Sequence, residues 1–456
     1  MGSLLASLLN STGAMQVYGR EFNTIENNIA NANTPGYAKQ EVSLEALPFD
    51  PANGITGGVV AGPMLNSRSE YLEQNVRNQQ QGLGFAQQQA QDLGQIQPLF
   101  DLTSSFGVPA ALNSFFNSFS QLSVNPNDAV SRESVIAQAG QIAQAFNQNA
   151  VGIEQVSANA DGQTRDVVDQ INQFAGQIAA LNARFSTNAA STTDAGLDAQ
   201  MHAALEGLSQ LANFSLVKTN EGGYNVYLGG QSALVVGQHQ FAIQADFSAP
   251  QTAVRDAQGN DISGEITQGG LGALLQEKNT ILPGYLTQLN TLAQTFADQV
   301  NQGLANGVDQ SGAPGTNLFT YHQAGDAASS LAVTGITPDQ IAAASPSSPG
   351  GNGNAIAMAQ LATTPLINGF SFTQYYGNLG GQVGRDFNSA KQNQTQHQDT
   401  VTQAQQQRTG VSGVDLNEEA AKLLQFQQAY QAVGKMVTVL DTLTQSVIDL
   451  IPPTGI

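Results

Sequence analysis

The side chains able to do chemistry are scattered along this chain. His202, His239, His322 and His397 lie far apart, and none belongs to a His-Glu-x-x-His or similar ligand cluster, so each reads as a surface or structural histidine. Asp256–Thr267 and Asp309–Thr320 invite a calcium-loop reading, but both end in Thr where a bidentate Glu is needed and neither has Gly at the sixth place. They read as turns. Gly350-Gly351-Asn352-Gly353 is followed by no Lys-Ser/Thr, and Ile356 stands where the last glycine of a dinucleotide fingerprint would fall. Ser412 lies between Gly410 and Gly413 and lacks the spacing of a nucleophile elbow. These residues point to no catalytic residue, no metal ligand and no cofactor site, and the expectation is a protein that is not an enzyme.

The bulk composition excludes further classes. Thirty-five acidic against fifteen basic residues leave a net charge of -20, which opposes nucleic acid and anionic membranes, because phosphate binding needs clustered Lys and Arg. No apolar stretch approaches the roughly 18 residues of a membrane span. With no cysteine there is neither disulfide nor thiol chemistry. The start, Met1-Gly2-Ser3-Leu4-Leu5-Ala6-Ser7, lacks a basic region and is soon interrupted by Asn10, Ser11 and Thr12, so no cleavable signal peptide is expected. A surface of Gln, Asn, Ser, Thr and Gly suits close self-packing.

The patterned elements lie at the two ends. Leu4, Leu8, Met15, Tyr18, Phe22, Ile25 and Ile29 recur by threes and fours, with Ser11 in one slot, as in a coiled-coil seam. The seam stops at Asn33-Thr34-Pro35-Gly36, where Pro35 cannot continue a helix and Gly36 supplies a positive φ. A β-branched residue at position 36 should be severe, and asparagine milder. Leu416, Leu423, Phe426, Tyr430, Val433, Val437, Leu440, Val447 and Ile451 repeat the pattern, with a capping box at Asp415 and Glu418. One seam this narrow leaves an isolated helix marginal, so each end needs a partner.

Between the ends, polar helical stretches are expected at about 68–98, 130–185, 272–305 and 386–408, with Leu282, Leu289, Leu292 and Phe296 showing the period. From Phe214 to Phe247 the period becomes two, as in Tyr224, Val226 and Leu228, which predicts a small antiparallel sheet. The expected fold is mainly α with smaller β regions. Residues 1–40 form a coiled-coil helix and turn, 41–210 the first half of a helical middle domain, and 211–270 an antiparallel β segment. Residues 271–305 return to the middle domain, 306–385 form an outer or linker-rich region with a loop at 345–354, and 386–456 complete the stem.

One stretch carries a resemblance. Asn27-Asn28-Ile29-Ala30-Asn31-Ala32-Asn33-Thr34-Pro35-Gly36-Tyr37 resembles the signature after the first helix of the bacterial flagellar rod, hook and hook-associated axial proteins. Ser412 to Leu423, followed by Phe426-Gln427-Gln428-Ala429-Tyr430, resembles the closing helix of that family, nearer to its hook-associated members than to rod or hook subunits. Gly57-Gly58-Val59 and Arg68 to Leu72 resemble its early strand and the start of its long helix.

The resemblance implies a structural subunit of the flagellum at the junction of hook and filament. It would be exported unfolded through the flagellar type III channel, with a flagellar export chaperone, and would lie outside the cell. The seam residues would pair as a coiled-coil stem in a self-assembled axial ring. Asn27, Asn28, Asn31, Thr34, Pro35, Gly36 and Tyr37 would form the turn that leaves the stem. Its partners would be further copies of itself, hook subunits, and the next hook-associated protein with the filament. Hook or rod subunits of the same family, and a non-flagellar surface coiled-coil protein, are the competing readings.

Overall fold

The computed structural model describes residues 2–50, 55–102, 107–187 and 194–450. Long helices dominate it, joined by small antiparallel sheets. The chain opens with α1 (Gly2–Asn31). An arm follows, in which β1 (Gln40–Ala46) pairs with β4 (Val59–Asn66) and the short β2 (Phe49–Asp50) with β3 (Ile55–Thr56). Next come α2 (Glu70–Ile96), α3 (Val108–Val124), α4 (Ala129–Thr187) and α5 (Ala195–Leu211). A meander of β5 (Phe214–Lys218), β6 (Tyr224–Leu228), β7 (Ser232–Val236) and β8 (His239–Gln240) makes a four-stranded sheet in sequence order, and β9 (Gln244–Asp246) pairs with β10 (Ala253–Arg255). A π-helical turn, Glu277–Ile281, joins α6 (Gly269–Gln276) to α7 (Leu282–Ala305). The rest is β11 (Phe319–Thr320), α8 (Ala327–Ser330), β12 (Ala332–Val333), α9 (Gly353–Gln360), α10 (Phe372–Ser412) and α11 (Leu416–Asp449).

Two apolar cores form the body. In the first, Leu282, Leu289, Leu292 and Phe296 of α7 are all buried, as their spacing demands. Around Phe296 gather the rings of Phe115 at 5.3 Å, Phe319 at 5.2 Å and Phe372 at 5.5 Å. In the second core, Tyr224, Val226 and Leu228 bury one face of β6 against Ile171 and Ile178 of α4 and Leu205 and Leu208 of α5. The 59-residue α4 contributes to both cores and so ties them together.

The 306–385 stretch departs from expectation. It is packed into the first core, where Leu318, Phe319, Ala327, Leu331, Ile341, Met358, Ile367 and Tyr376 are buried. Small side chains do much of this packing, as at Ala342 and Ala343, so no amphipathic period advertises it. The buried Arg132 fastens the stretch, donating to the carbonyls of Pro126, Pro338 and Ile341. The expected loop at 345–354 is a loop as far as Asn352, where α9 begins: Asn352 donates to the Ser123 carbonyl and Asn354, inside α9, to that of Ala342.

One buried acid opposes this packing. Glu277, in the π turn, is fully buried and neither carboxyl oxygen finds a donor. Burial, and then the neighbouring carboxylate of Asp92, push its pKa up to about 11. It is therefore a neutral acid in the folded chain and an anion in the unfolded chain. Its contribution is fully favourable only below the ordinary carboxyl pKa and is lost as pH rises toward 11. At pH 7 the folded state forgoes about 3 kcal/mol. Glu277→Gln, which is neutral at every pH, should raise the melting temperature by several degrees at pH 8 and hardly change it at pH 4.5. Equal melting shifts at both pH values would contradict this account.

Candidate functional site

The two terminal helices close on each other. Asn28, near the end of α1, donates to Glu419, near the start of α11, at 3.0 Å. Tyr18 and Phe22, both earlier in α1 than Asn28, meet the rings of Phe426 at 5.9 Å and Tyr430 at 6.0 Å, both later in α11 than Glu419. The pair is therefore antiparallel and is formed within one chain. Of the predicted seam, Ile25 is buried and Leu4, Leu8, Met15, Tyr18, Phe22, Leu423, Phe426, Val433, Val437, Leu440 and Val447 are half-buried.

The same pairing corrects parts of the predicted seam. Ile29 and Leu416 are exposed, and Tyr430 is exposed at its rim. Ile451 lies outside the described residues. Val17 is buried beside the seam, although the three-and-four spacing passes over it. A second apolar stripe, Leu424, Met436, Val439 and Leu443, runs along the other side of α11 and is exposed. Asp415 does cap α11, accepting from the amides of Asn417 and Glu418, but Glu418 pairs with Lys422 and Lys39 instead of closing a capping box.

The turn after α1 is held by its asparagines. Asn28 uses all four of its hydrogen-bonding positions. Its amide donates to the Gln40 carbonyl at 2.9 Å and to Glu419, and its oxygen accepts from the Tyr37 hydroxyl at 2.9 Å and the Gln40 amide at 3.0 Å. Asn27 donates to the Tyr37 hydroxyl, Asn31 reaches back to Asn27, and Thr34 donates to Asn31. Burial, and then Glu419, raise the Tyr37 pKa to about 12, so its hydroxyl keeps the proton it donates. Beyond the turn, the Lys39 amide donates to the Ser412 carbonyl and the Ser412 hydroxyl to the Ser67 carbonyl, which joins the exit of α1 to the end of α10.

Gly36 has the positive φ its turn requires, 75°. It also lies flush on α5. A Cβ there would overlap the Ala199 carbonyl oxygen and sit 3.1 Å from the Ala203 nitrogen. Every side chain brings the same Cβ, so asparagine meets this overlap as valine does.

The carbonyl of Gly36 accepts from Arg68 at 2.6 Å. Arg68 also pairs with Glu73 of α2 and Asp198 of α5, and the second oxygen of Glu73 takes Arg408 of α10, which reaches Glu206 of α5 as well. Glu73 is 3% exposed. Two arginines, Arg68 in the loop before α2 and Arg408 of α10, thus bolt the turn to α2, α5 and α10. Nothing in the spacing signals this, because partners such as Arg68 and Asp198 are 130 residues apart.

The other candidates find structural employment. His202 is buried within this bolt, His239 and His322 are exposed, and His397 is half-buried beside Gly82. The carboxylate of Asp256 accepts from the amides of Gln258 and Asn260, and that of Asp309 from those of Ser311 and Ala313, so each is spent on its own turn. Among the described residues, no three His, Asp or Glu side chains are placed to hold a metal ion. No described helix is long and apolar enough to cross a membrane.

Comparison with known proteins divides the chain along the same lines. Residues 93–319, in the body, match the family model of the flagellar hook-associated protein FlgK helical domain. Residues 8–37 match that of the flagella basal body rod protein, and 405–450 that of the flagellar basal body rod FlgEFG protein C-terminal region. These two cover the stem and its turn. The flagellar hook-associated protein 1 of Bacillus subtilis is 27% identical over 98% of this chain and 99% of its own length. That of Escherichia coli K12 is 22% identical over 99% of this chain and 100% of its own. The structure of the flagellar hook junction protein FlgK from Burkholderia pseudomallei shares the fold with a TM-score of 0.68, at 18% identity, over 75% of this chain and 100% of its own.

Proposed function

From its similarity to the FlgK family of flagellar hook-associated proteins, we infer that this chain is a structural subunit of the junction between hook and filament. The observation that carries the reading is the stem. Its inner seam is closed within one chain by α1 and α11, and a second stripe, Leu424, Met436, Val439 and Leu443, is left apolar and exposed. A closed pair with a residual apolar stripe suits assembly against further copies, with each copy contributing a preformed unit.

In this reading the turn from Asn27 to Tyr37 and the Arg68 bolt fix the angle between stem and body. Hook subunits would meet the ring on one side, and the next hook-associated protein with the filament on the other. The chain would leave the cell through the flagellar export channel, accompanied by an export chaperone, and would act without catalysis. The neutral polar surface and the employment of Asp256 and Asp309 in their own turns support a structural role.

Deleting the gene in the source bacterium tests this. The expected result is hooks without filaments in electron micrographs and filament subunits free in the medium, both restored by the intact chain. Full-length filaments on the deletion strain would overturn the assignment.

A further inference from the structure

The bolt between turn and body contains one side chain that it does not use. His202, on α5, is 2% exposed and its Nδ1 has no hydrogen-bond partner. Nδ1 lies 3.9 Å from Glu73 and Nε2 lies 3.7 Å from Asp198, both beyond hydrogen-bond length. Glu73 and Asp198 are the two carboxylates that hold Arg68, and Arg68 holds the carbonyl of Gly36. The Tyr224 ring of β6 stands edge-on to the imidazole at 5.9 Å.

We propose that His202 is a proton-sensitive element of the joint between stem and body. A proton on its imidazole would make it compete with Arg68 for Glu73 and Asp198, and so loosen the grip on the Gly36 carbonyl. The groups that face it come from every element around it. They are Glu73 and Arg77 of α2, Arg68 before α2, Asp198 of α5, Lys218 of β5, Tyr224 of β6 and Arg408 of α10, with Glu70 and Glu206 behind them as the partners of Arg77 and Arg408. An imidazolium would be one more cation beside Arg68, Arg77, Lys218 and Arg408, itself buried and with no further carboxylate to share.

The direction follows from the closed joint. Burial first, and then Arg68, Arg77, Lys218 and Arg408, hold the imidazole well below its ordinary pKa. Opening the joint to water restores the ordinary value near 6.5. The closed joint is therefore fully stable above that pH and loses stability below it. From pH 7.5 to 5 the opening equilibrium should shift about 30-fold.

Hydrogen exchange of the full chain in solution, corrected for the intrinsic effect of pH, reads this directly. Peptides over 33–40 and 408–415 should lose about 30-fold in protection between pH 7.5 and 5, while peptides over 108–122 and 289–304 hold theirs. His202→Gln, which cannot take a proton, should show no such loss at the joint. NMR of the histidine imidazoles in the unaltered chain supplies a second reading, independent of how the variant folds: His202 should begin to titrate only in the window where the joint opens. The proposal is overturned if joint protection is the same at both pH values, if variant and unaltered chain respond alike, or if His202 titrates while the joint stays closed.

Discussion

A Gly36→Ala chain is expected to fold its body normally and to fail at the hook. Two costs coincide at this residue. The positive φ of 75° penalises any Cβ by about 1–2 kcal/mol, and the Cβ would also overlap the Ala199 carbonyl of α5. The first cost could be borne, but the second cannot be relieved by a rotamer change, because a Cβ has none. Turn and α5 must separate, and the hydrogen bond from Arg68 to the Gly36 carbonyl lengthens with them. Gly36→Asn shares the overlap and should fail too, despite asparagine's tolerance of positive φ. Circular dichroism should show a helical body in both variants, and complementation of the deletion strain should give bare hooks. Normal filaments from Gly36→Ala would show that the turn does not rest on α5 in the assembled flagellum.

Asn28→Asp should be at least as damaging, for an electrostatic reason. The substitution removes both amide donors, leaving the buried Gln40 carbonyl without its partner, and it places a carboxylate where Glu419 accepts at 3.0 Å. Glu419 is only 1% exposed, so water cannot separate the two charges. Losing one member of a buried charged hydrogen bond in this way costs about 3–5 kcal/mol. The stem should come apart at its base and motility should be lost. Adding Glu419→Gln restores a donor facing Asp at position 28, with the polarity of the bond reversed. The double variant should recover part of both stem protection and swarming. No recovery would mean that the Gln40 carbonyl, and not the contact with Glu419, carries the effect.

Much of this was legible because it is local. Three-and-four spacing located both stem helices, alternation located Tyr224, Val226 and Leu228 on a strand, and Pro35-Gly36 marked the end of α1. Helical spacing did not announce α3 or α5, although Leu112, Phe115 and Phe119 are as deeply buried as any residue in α7. The contact of Gly36 with α5 and the Arg68 bolt depend on tertiary proximity between remote segments, which no spacing encodes. The stem shows the limit most clearly. A heptad seam looks the same whether its partner helix belongs to its own chain or to a neighbour's, so Tyr18 and Phe426 could be assigned to a seam but not to a pairing. The stripe of Leu424, Met436, Val439 and Leu443 passed unnoticed because it shares the helix with the stronger seam.

The pairing of α1 with α11 inside each chain is the claim on which the rest stands, and the cysteine-free sequence allows it to be tested in assembled flagella. Phe22→Cys and Tyr430→Cys can be introduced together, at positions whose rings lie 6.0 Å apart, and joined on intact hook–filament junctions with a flexible bis-maleimide that carries a reducible disulfide in its spacer. The structure predicts a crosslink that leaves the protein at the size of one chain on a denaturing gel, with altered mobility that reduction reverses. A ladder of dimers and higher multimers from the same pair would contradict it, because the two helices would then be meeting across subunits.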